Sequence, residues 1–259
     1  MARDKKLIIG NWKMNLNVHE SSLYLHKLAE RVKIRRSVDV VLAPTMLALQ
    51  TLSLQINHRQ FKLASQNLYW RDKGAFTGEV SATQLRGIVS YSIIGHSERR
   101  NVFNESDKDT RAKVQAAIRN GIKPVLCVGE TTSERAAGEA KDVIHDQLLG
   151  GLANVTTDEL EDVIIAYEPV WAIGTGNNAS VSDVTEGIIA IRSQLKHLYG
   201  AKIANQVRVL YGGSVTAETA SDYLILPEVD GLLIGGASLN ADAFASIVEQ
   251  ANKSVKKAA

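Results

Sequence analysis

The chain has 259 residues, with 45% hydrophobic and 22% charged side chains and a formal charge of +2 from 30 Lys and Arg against 28 Asp and Glu. That composition is ordinary for a soluble protein with a large core, and it excludes disorder or a fibre as readings of the whole chain. The charges are scattered, with no basic stripe to follow a phosphate backbone, so nucleic acid is not an expected partner. Leu7-Ile8-Ile9 is far too short for a signal-peptide core, and no segment approaches the roughly 20 apolar residues of a membrane span, so no membrane partner is expected. Cys127, the single cysteine, cannot form an internal disulfide, which fits a reducing, cytoplasmic setting. Within Pro124-Val125-Leu126-Cys127-Val128 it reads as a packing thiol rather than a nucleophile.

Short apolar, β-branched runs alternate with helical patterns from end to end, the signature of repeated βα units and a parallel sheet. Eight runs predict strands, at residues 7–10, 39–43, 62–65, 91–94, 124–128, 163–167, 207–211 and 231–234. The clearest amphipathic stretches predict helices over 21–32, 109–119, 183–199 and 242–250, with Gly200 stopping the third. Eight strands alternating with helices over this length are most economically one α/β domain, residues 1–259, closed as a (β/α)8 barrel of parallel strands ringed by helices. The stretch 66–79 is long for a βα loop and reads as functional, and the polar, basic residues 252–259 are expected to fray.

Active sites of such barrels form where the strands end, and here those ends are chemically loaded. Asn11-Trp12-Lys13 follows the first run, Gly95-His96-Ser97-Glu98 the fourth, Glu168-Pro169 the sixth, Gly212-Gly213-Ser214 the seventh and Gly235-Gly236 the eighth. Singly, each has a plain reading: solvated charges for Lys13 and Glu168, a packed capping histidine for His96, tight turns for the glycines. Together they bring a base, an electrophile, a cation and backbone donors to one mouth. The two glycine segments form an anion cradle of N–H groups, which points to a phosphorylated substrate.

The runs Gly10-Asn11-Trp12-Lys13-Met14-Asn15, Ile94-Gly95-His96-Ser97-Glu98-Arg99-Arg100, Ala166-Tyr167-Glu168-Pro169-Val170-Trp171-Ala172-Ile173-Gly174-Thr175-Gly176 and Tyr211-Gly212-Gly213-Ser214-Val215 resemble the signatures of triosephosphate isomerases, in that family's order. Gly74 to Glu79, Pro124 to Glu130 and Gly231 to Leu239 match as well, so the resemblance spans nearly the whole chain. It implies a TIM barrel that interconverts dihydroxyacetone phosphate and D-glyceraldehyde 3-phosphate without a cofactor, in glycolysis and gluconeogenesis. By position, Glu168 would be the base and His96 the neutral electrophile and proton shuttle. Lys13 would supply positive charge, Asn11 would position the substrate, and Glu98 would orient Lys13. Gly174, Ser214, Gly235 and Gly236 would offer N–H groups to the phosphate. Pro169, Val170, Trp171, Ala172, Ile173, Gly174, Thr175 and Gly176 would form a lid. The 66–79 loop, with Thr77 near its tip, would reach a second copy in a homodimer. Asn177-Asn178-Ala179 and Val181 depart from the family's usual lid-end residues, where a lysine and a helix-starting proline are common, and residues 69–73 vary within the dimer loop.

Other classes fit less well. Gly174-Thr175-Gly176-Asn177-Asn178-Ala179 matches G-x-G-x-x-A, but it does not follow a strand as a dinucleotide site requires. A Schiff-base aldolase needs a lysine near the barrel centre, where the sixth run ends in Glu168 instead. His19, His26, His58, His96, His145 and His197 show no ligand spacing, so no metal is expected. The non-enzyme alternative is a catalytically silent phosphosugar-binding barrel, whose mark would be loss of the base.

Overall fold

A computed structural model describes residues 5–33, 36–173 and 178–258. Eight strands, β1 (Lys6–Asn11), β2 (Val38–Ala43), β3 (Lys62–Ser65), β4 (Tyr91–Ile94), β5 (Lys123–Val128), β6 (Ile164–Tyr167), β7 (Arg208–Tyr211) and β8 (Gly231–Ile234), pair in sequence order as a closed barrel. Every pairing is parallel, and β1 closes on β8 with Leu7 opposite Gly231 and Gly10 opposite Ile234. All eight predicted strands are present, with ends shifted by at most one residue.

The strands read as nearly continuous apolar runs because both faces are buried. Alternate residues split between two cores. Leu7, Ile9, Val41, Ile93, Val125, Cys127, Ile164, Ala166, Leu210 and Leu233 fill the barrel, while Ile8, Leu42, Leu63, Ile94, Leu126, Ile165 and Leu232 pack outward under the helices. The helices are α1 (Val18–Arg31), α2 (Met46–Gln55), α3 (Ala82–Leu85), α4 (Ser97–Val102), α5 (Asp107–Arg119), α6 (Thr132–Ala136), α7 (Ala140–Gly151), α8 (Val181–Tyr199), α9 (Ala201–Ala204), α10 (Ala220–Leu224) and α11 (Ala241–Ala258). No helix among the described residues is long and apolar enough to cross a membrane.

Helix starts follow local chemistry. Asn17 with Glu20, Ser106 with Asp109 and Ser180 with Asp183 form reciprocal capping boxes at α1, α5 and α8. The last explains why Val181 can stand at the first position of α8 without a proline. Gly200 ends α8 at φ +81, as its position after Tyr199 predicts. The expected fraying from 252 onwards is corrected for the backbone as far as Ala258, where α11 ends. The reason is packing: Ala251 and Asn252 are buried, and the Ser37 hydroxyl donates to Asn252 Oδ1 at 2.6 Å. Ala259 lies outside the described residues.

Candidate functional site

A cavity of about 440 Å³ opens where the strands end. Asn11, Lys13, His96, Ser214, Gly235 and Gly236 line it, together with Ile173 from the start of the expected lid. Asn11 is the last residue of β1, and Lys13 follows in a left-handed conformation at φ +52. For a residue other than glycine that backbone costs about 1–2 kcal/mol, so neighbouring contacts must hold it. Lys13 Nζ donates to Glu98 Oε1 at 2.6 Å, while Asn11 Oδ1 accepts the Lys13 N–H at 3.1 Å.

His96 caps α4. Its Nδ1 accepts the Glu98 N–H at 3.2 Å, which leaves the ring hydrogen on Nε2, facing the barrel mouth. The plain reading of His96 as a capping residue and the functional one therefore describe the same contact. Gly95 supports it from behind with φ +68, a turn a side chain would resist. Its N–H donates to the buried Glu105 at 3.2 Å, and its carbonyl accepts Arg100 Nε at 2.8 Å.

Glu168 follows β6 and is 1% exposed. Its Oε2 accepts the Ser97 N–H at 2.8 Å. Its Oε1 lies at ion-pair distance, 3.0 Å, from His96 Nε2, but the approach lacks hydrogen-bond geometry, and this buried oxygen accepts no hydrogen bond among the described residues. The carboxylate is thus drawn back behind the cavity wall, with one oxygen left without a hydrogen bond. Beneath it, burial first and the Glu168 charge second push the Cys127 thiol up, consistent with a packed, protonated cysteine.

On the opposite wall, the N–H groups of Ser214, Gly235 and Gly236 donate to no protein acceptor among the described residues. All three residues line the cavity, Gly236 opens a 3-10 turn over Gly236–Leu239, and Ser238 returns its N–H to the Gly235 carbonyl at 2.8 Å. Three donors without protein acceptors, beside an ammonium group, have the chemistry to hold an anion. Among the described residues no three His, Cys, Asp or Glu side chains group to hold a metal ion.

These features sit on a chain whose residues 6–251 match the sequence profile described as Triosephosphate isomerase. The chain belongs to the triosephosphate isomerase family. The triosephosphate isomerase of Alkaliphilus metalliredigens (strain QYMF) is 43% identical over 245 residues, covering 94% of this chain and 98% of that protein. The triosephosphate isomerase of Chloroherpeton thalassium (strain ATCC 35110 / GB-78) is 42% identical over 252 residues, covering 95% of this chain and 99% of the relative. That of Carboxydothermus hydrogenoformans (strain ATCC BAA-161 / DSM 6008 / Z-2901) is 43% identical over 246 residues, with 95% and 98% covered.

In this member of the triosephosphate isomerase family, the expected Asn11, Lys13, His96, Glu98, Glu168, Ser214, Gly235 and Gly236 lie around one mouth. Of the expected lid, Gly174, Thr175 and Gly176 lie outside the described residues, as does Asn177. Pro169 precedes a 3-10 turn over Val170–Ala172. Trp171 Nε1 donates to Glu130 at 2.8 Å and the Tyr167 hydroxyl donates to the same carboxylate at 3.2 Å. Arg135 stacks 4.4 Å above the Trp171 ring. At the other edge of that segment, the Tyr223 hydroxyl donates to the Ala179 carbonyl at 3.0 Å.

Sequence reasoning gave no individual role to Gln66, Gly129, Glu130 or Ser97. Gly129 is needed for a close approach, because a β-carbon there would fall 1.8 Å from the Glu168 carbonyl oxygen. Its sequence signals are its place directly after β5 and its membership of the Pro124 to Glu130 match. Ser97 acts through its backbone N–H, which no side-chain pattern reveals.

Proposed function

We propose that this chain interconverts dihydroxyacetone phosphate and D-glyceraldehyde 3-phosphate through an enediolate, with Glu168 as base and His96 as electrophile. The observation that carries this is the buried Glu168 Oε1, without a hydrogen bond and 3.0 Å from His96 Nε2, at a mouth where the N–H groups of Ser214, Gly235 and Gly236 have no protein acceptor among the described residues. The substrate phosphate sits on Ser214, Gly235 and Gly236, with Gly174 from the lid as a further donor. Glu168 leaves the Ser97 N–H, swings into the cavity and takes a proton from the carbon beside the carbonyl. The electron pair moves to the carbonyl oxygen, which the Nε2 hydrogen of His96 and the Lys13 ammonium stabilise. Asn11 holds the substrate oxygens, and Glu98 fixes Lys13.

His96 then gives its Nε2 proton to one oxygen and recovers one from the other. Glu168 returns its proton to the neighbouring carbon. Atoms and electrons balance with no cofactor. A lid over Pro169 to Gly176 excludes water, which strengthens each electrostatic contact and protects the enediolate from losing phosphate. A coupled assay tests the reading: interconversion should proceed at an unchanged rate with chelator present. Protein that binds the phosphosugar without converting it would instead be the silent binding barrel.

A homodimer in the cytoplasm belongs to the same reading. Residues 71–79 all stand exposed, and exposed apolar side chains follow four neighbouring strands. They are Met14 at 94%, Leu47 at 83%, Phe76 at 38% and Phe103 at 63%. A second copy that takes Thr77 towards its Asn11 and Lys13 would cover them, and closed two-fold pairs are the commonest assemblies. Light scattering that finds an active monomer at low micromolar concentration would refute the dimer.

A further inference from the structure

Lys13 holds its left-handed backbone because both of its peptide groups are tied. Its N–H goes to Asn11, and its carbonyl accepts Gln66 Nε2 at 2.9 Å. The same nitrogen donates at 2.8 Å to the Ala43 carbonyl, which also accepts the Trp12 N–H at 3.1 Å. Gln66 directly follows β3, so one amide nitrogen links the ends of the first three strands. Both of its neighbours are carbonyl oxygens. A primary amide supplies two hydrogens from one atom for such a pair, whereas a carboxylate or thioether supplies none.

We propose that Gln66 is a positioning residue for Lys13, fixing the backbone from which its ammonium group reaches the reacting oxygens. The proposal rests on Lys13 touching substrate, as argued above. Without the carbonyl contact a lysine relaxes towards the right-handed or extended regions. That rotates the Cα–Cβ bond, and the four-carbon stem carries the rotation to Nζ. The stem runs beside Gly235, where a β-carbon would come into contact with Lys13 Cε at 3.4 Å. A turned stem would move the ammonium away from both Glu98 and the anion site.

The test is a double-mutant cycle on kcat/KM with wild type, Gln66→Met, Lys13→Ala and the double variant, each assayed at a concentration where light scattering gives the same oligomeric state. Misplacing Nζ by about 1 Å should lower kcat/KM by about 10- to 100-fold in Gln66→Met. It should also weaken competitive inhibition by inorganic phosphate. In the Lys13→Ala background the same substitution should change kcat/KM by less than about two-fold, since the group it positions is gone. Equal losses in both backgrounds, or a Gln66→Met enzyme as active as wild type, would overturn the proposal. If Lys13→Ala retains wild-type activity, the reading of Lys13 fails and the proposal falls with it, a result that single variant identifies separately. Should Gln66→Met fold poorly by circular dichroism, Gln66→Glu keeps the shape while removing the donors, and the same comparison decides.

Discussion

At the end of the barrel where strands begin, Lys62 lies 3.3 Å and Arg208 3.6 Å from the same Asp39 carboxylate, and Lys123 lies 2.6 Å from Asp162. The Tyr91 hydroxyl accepts from Arg208 at 3.5 Å. At the other end, Glu168 Oε1 accepts no hydrogen bond and the N–H groups of Ser214, Gly235 and Gly236 find no protein acceptor among the described residues. The same barrel therefore neutralises its charges at the floor and leaves polar groups unsatisfied at the mouth. Unpaired buried groups lower stability, so they persist where a ligand completes them. Substitutions at the floor should change stability alone, and those at the mouth should change rate.

The sharpest break in that contrast would come from Glu168→Gln, which keeps the shape and removes the base. Its kcat should fall by about 10²- to 10⁴-fold while the melting temperature stays or rises. Glu168→Asp, displaced by about 1 Å, should lose about 10²-fold. Unchanged turnover in either would put the base elsewhere. Gly129→Ala should erase the distinction, since its β-carbon meets the backbone that carries Glu168. Denaturant titration should show a loss of about 3 kcal/mol with kcat falling in the folded fraction.

Arg208→Met tests the floor. It leaves Asp39 with Lys62 alone, and the expected loss is about 2–3 kcal/mol of stability, with kcat per folded molecule unchanged. A fall in kcat of the folded enzyme would show that floor and mouth are coupled. The smallest effect concerns Glu105, behind His96. Burial alone would raise its carboxyl, but the Lys113 ammonium and the Arg99 guanidinium outweigh that and hold it below the ordinary carboxylate range. Its contribution is full above the unfolded glutamate value of about 4.3 and is lost as pH falls through the lower folded value. Melting temperatures measured down that acid limb should fall less steeply in Glu105→Gln than in wild type.

The strands and most of the mouth were legible because each is carried by contiguous residues. Apolar runs mark strands, and Gly95-His96-Ser97-Glu98 or Gly235-Gly236 announce themselves at strand ends. Gln66 was not, because its partners are carbonyls 23 and 53 residues away, and backbone acceptors leave no trace in side-chain identity. The start of α8 is readable in Ser180 and Asp183, whose capping box needs no proline at Val181. The ordered end of α11 was hidden for a related reason. Asn252 looks like a tail residue until Ser37, across the fold, receives it.

Cys127 sits at the centre of the barrel with no exposed surface, and its buried thiol resists ionisation. A thiol reagent reacts with thiolate and must reach it, so the closed barrel denies both conditions. The chain carries no second cysteine to confuse the signal. The native-state labelling rate therefore becomes a clock for opening of the barrel interior. Run against denaturant, it reports how often strands part around the residue directly beneath Glu168, and whether that opening is local or global.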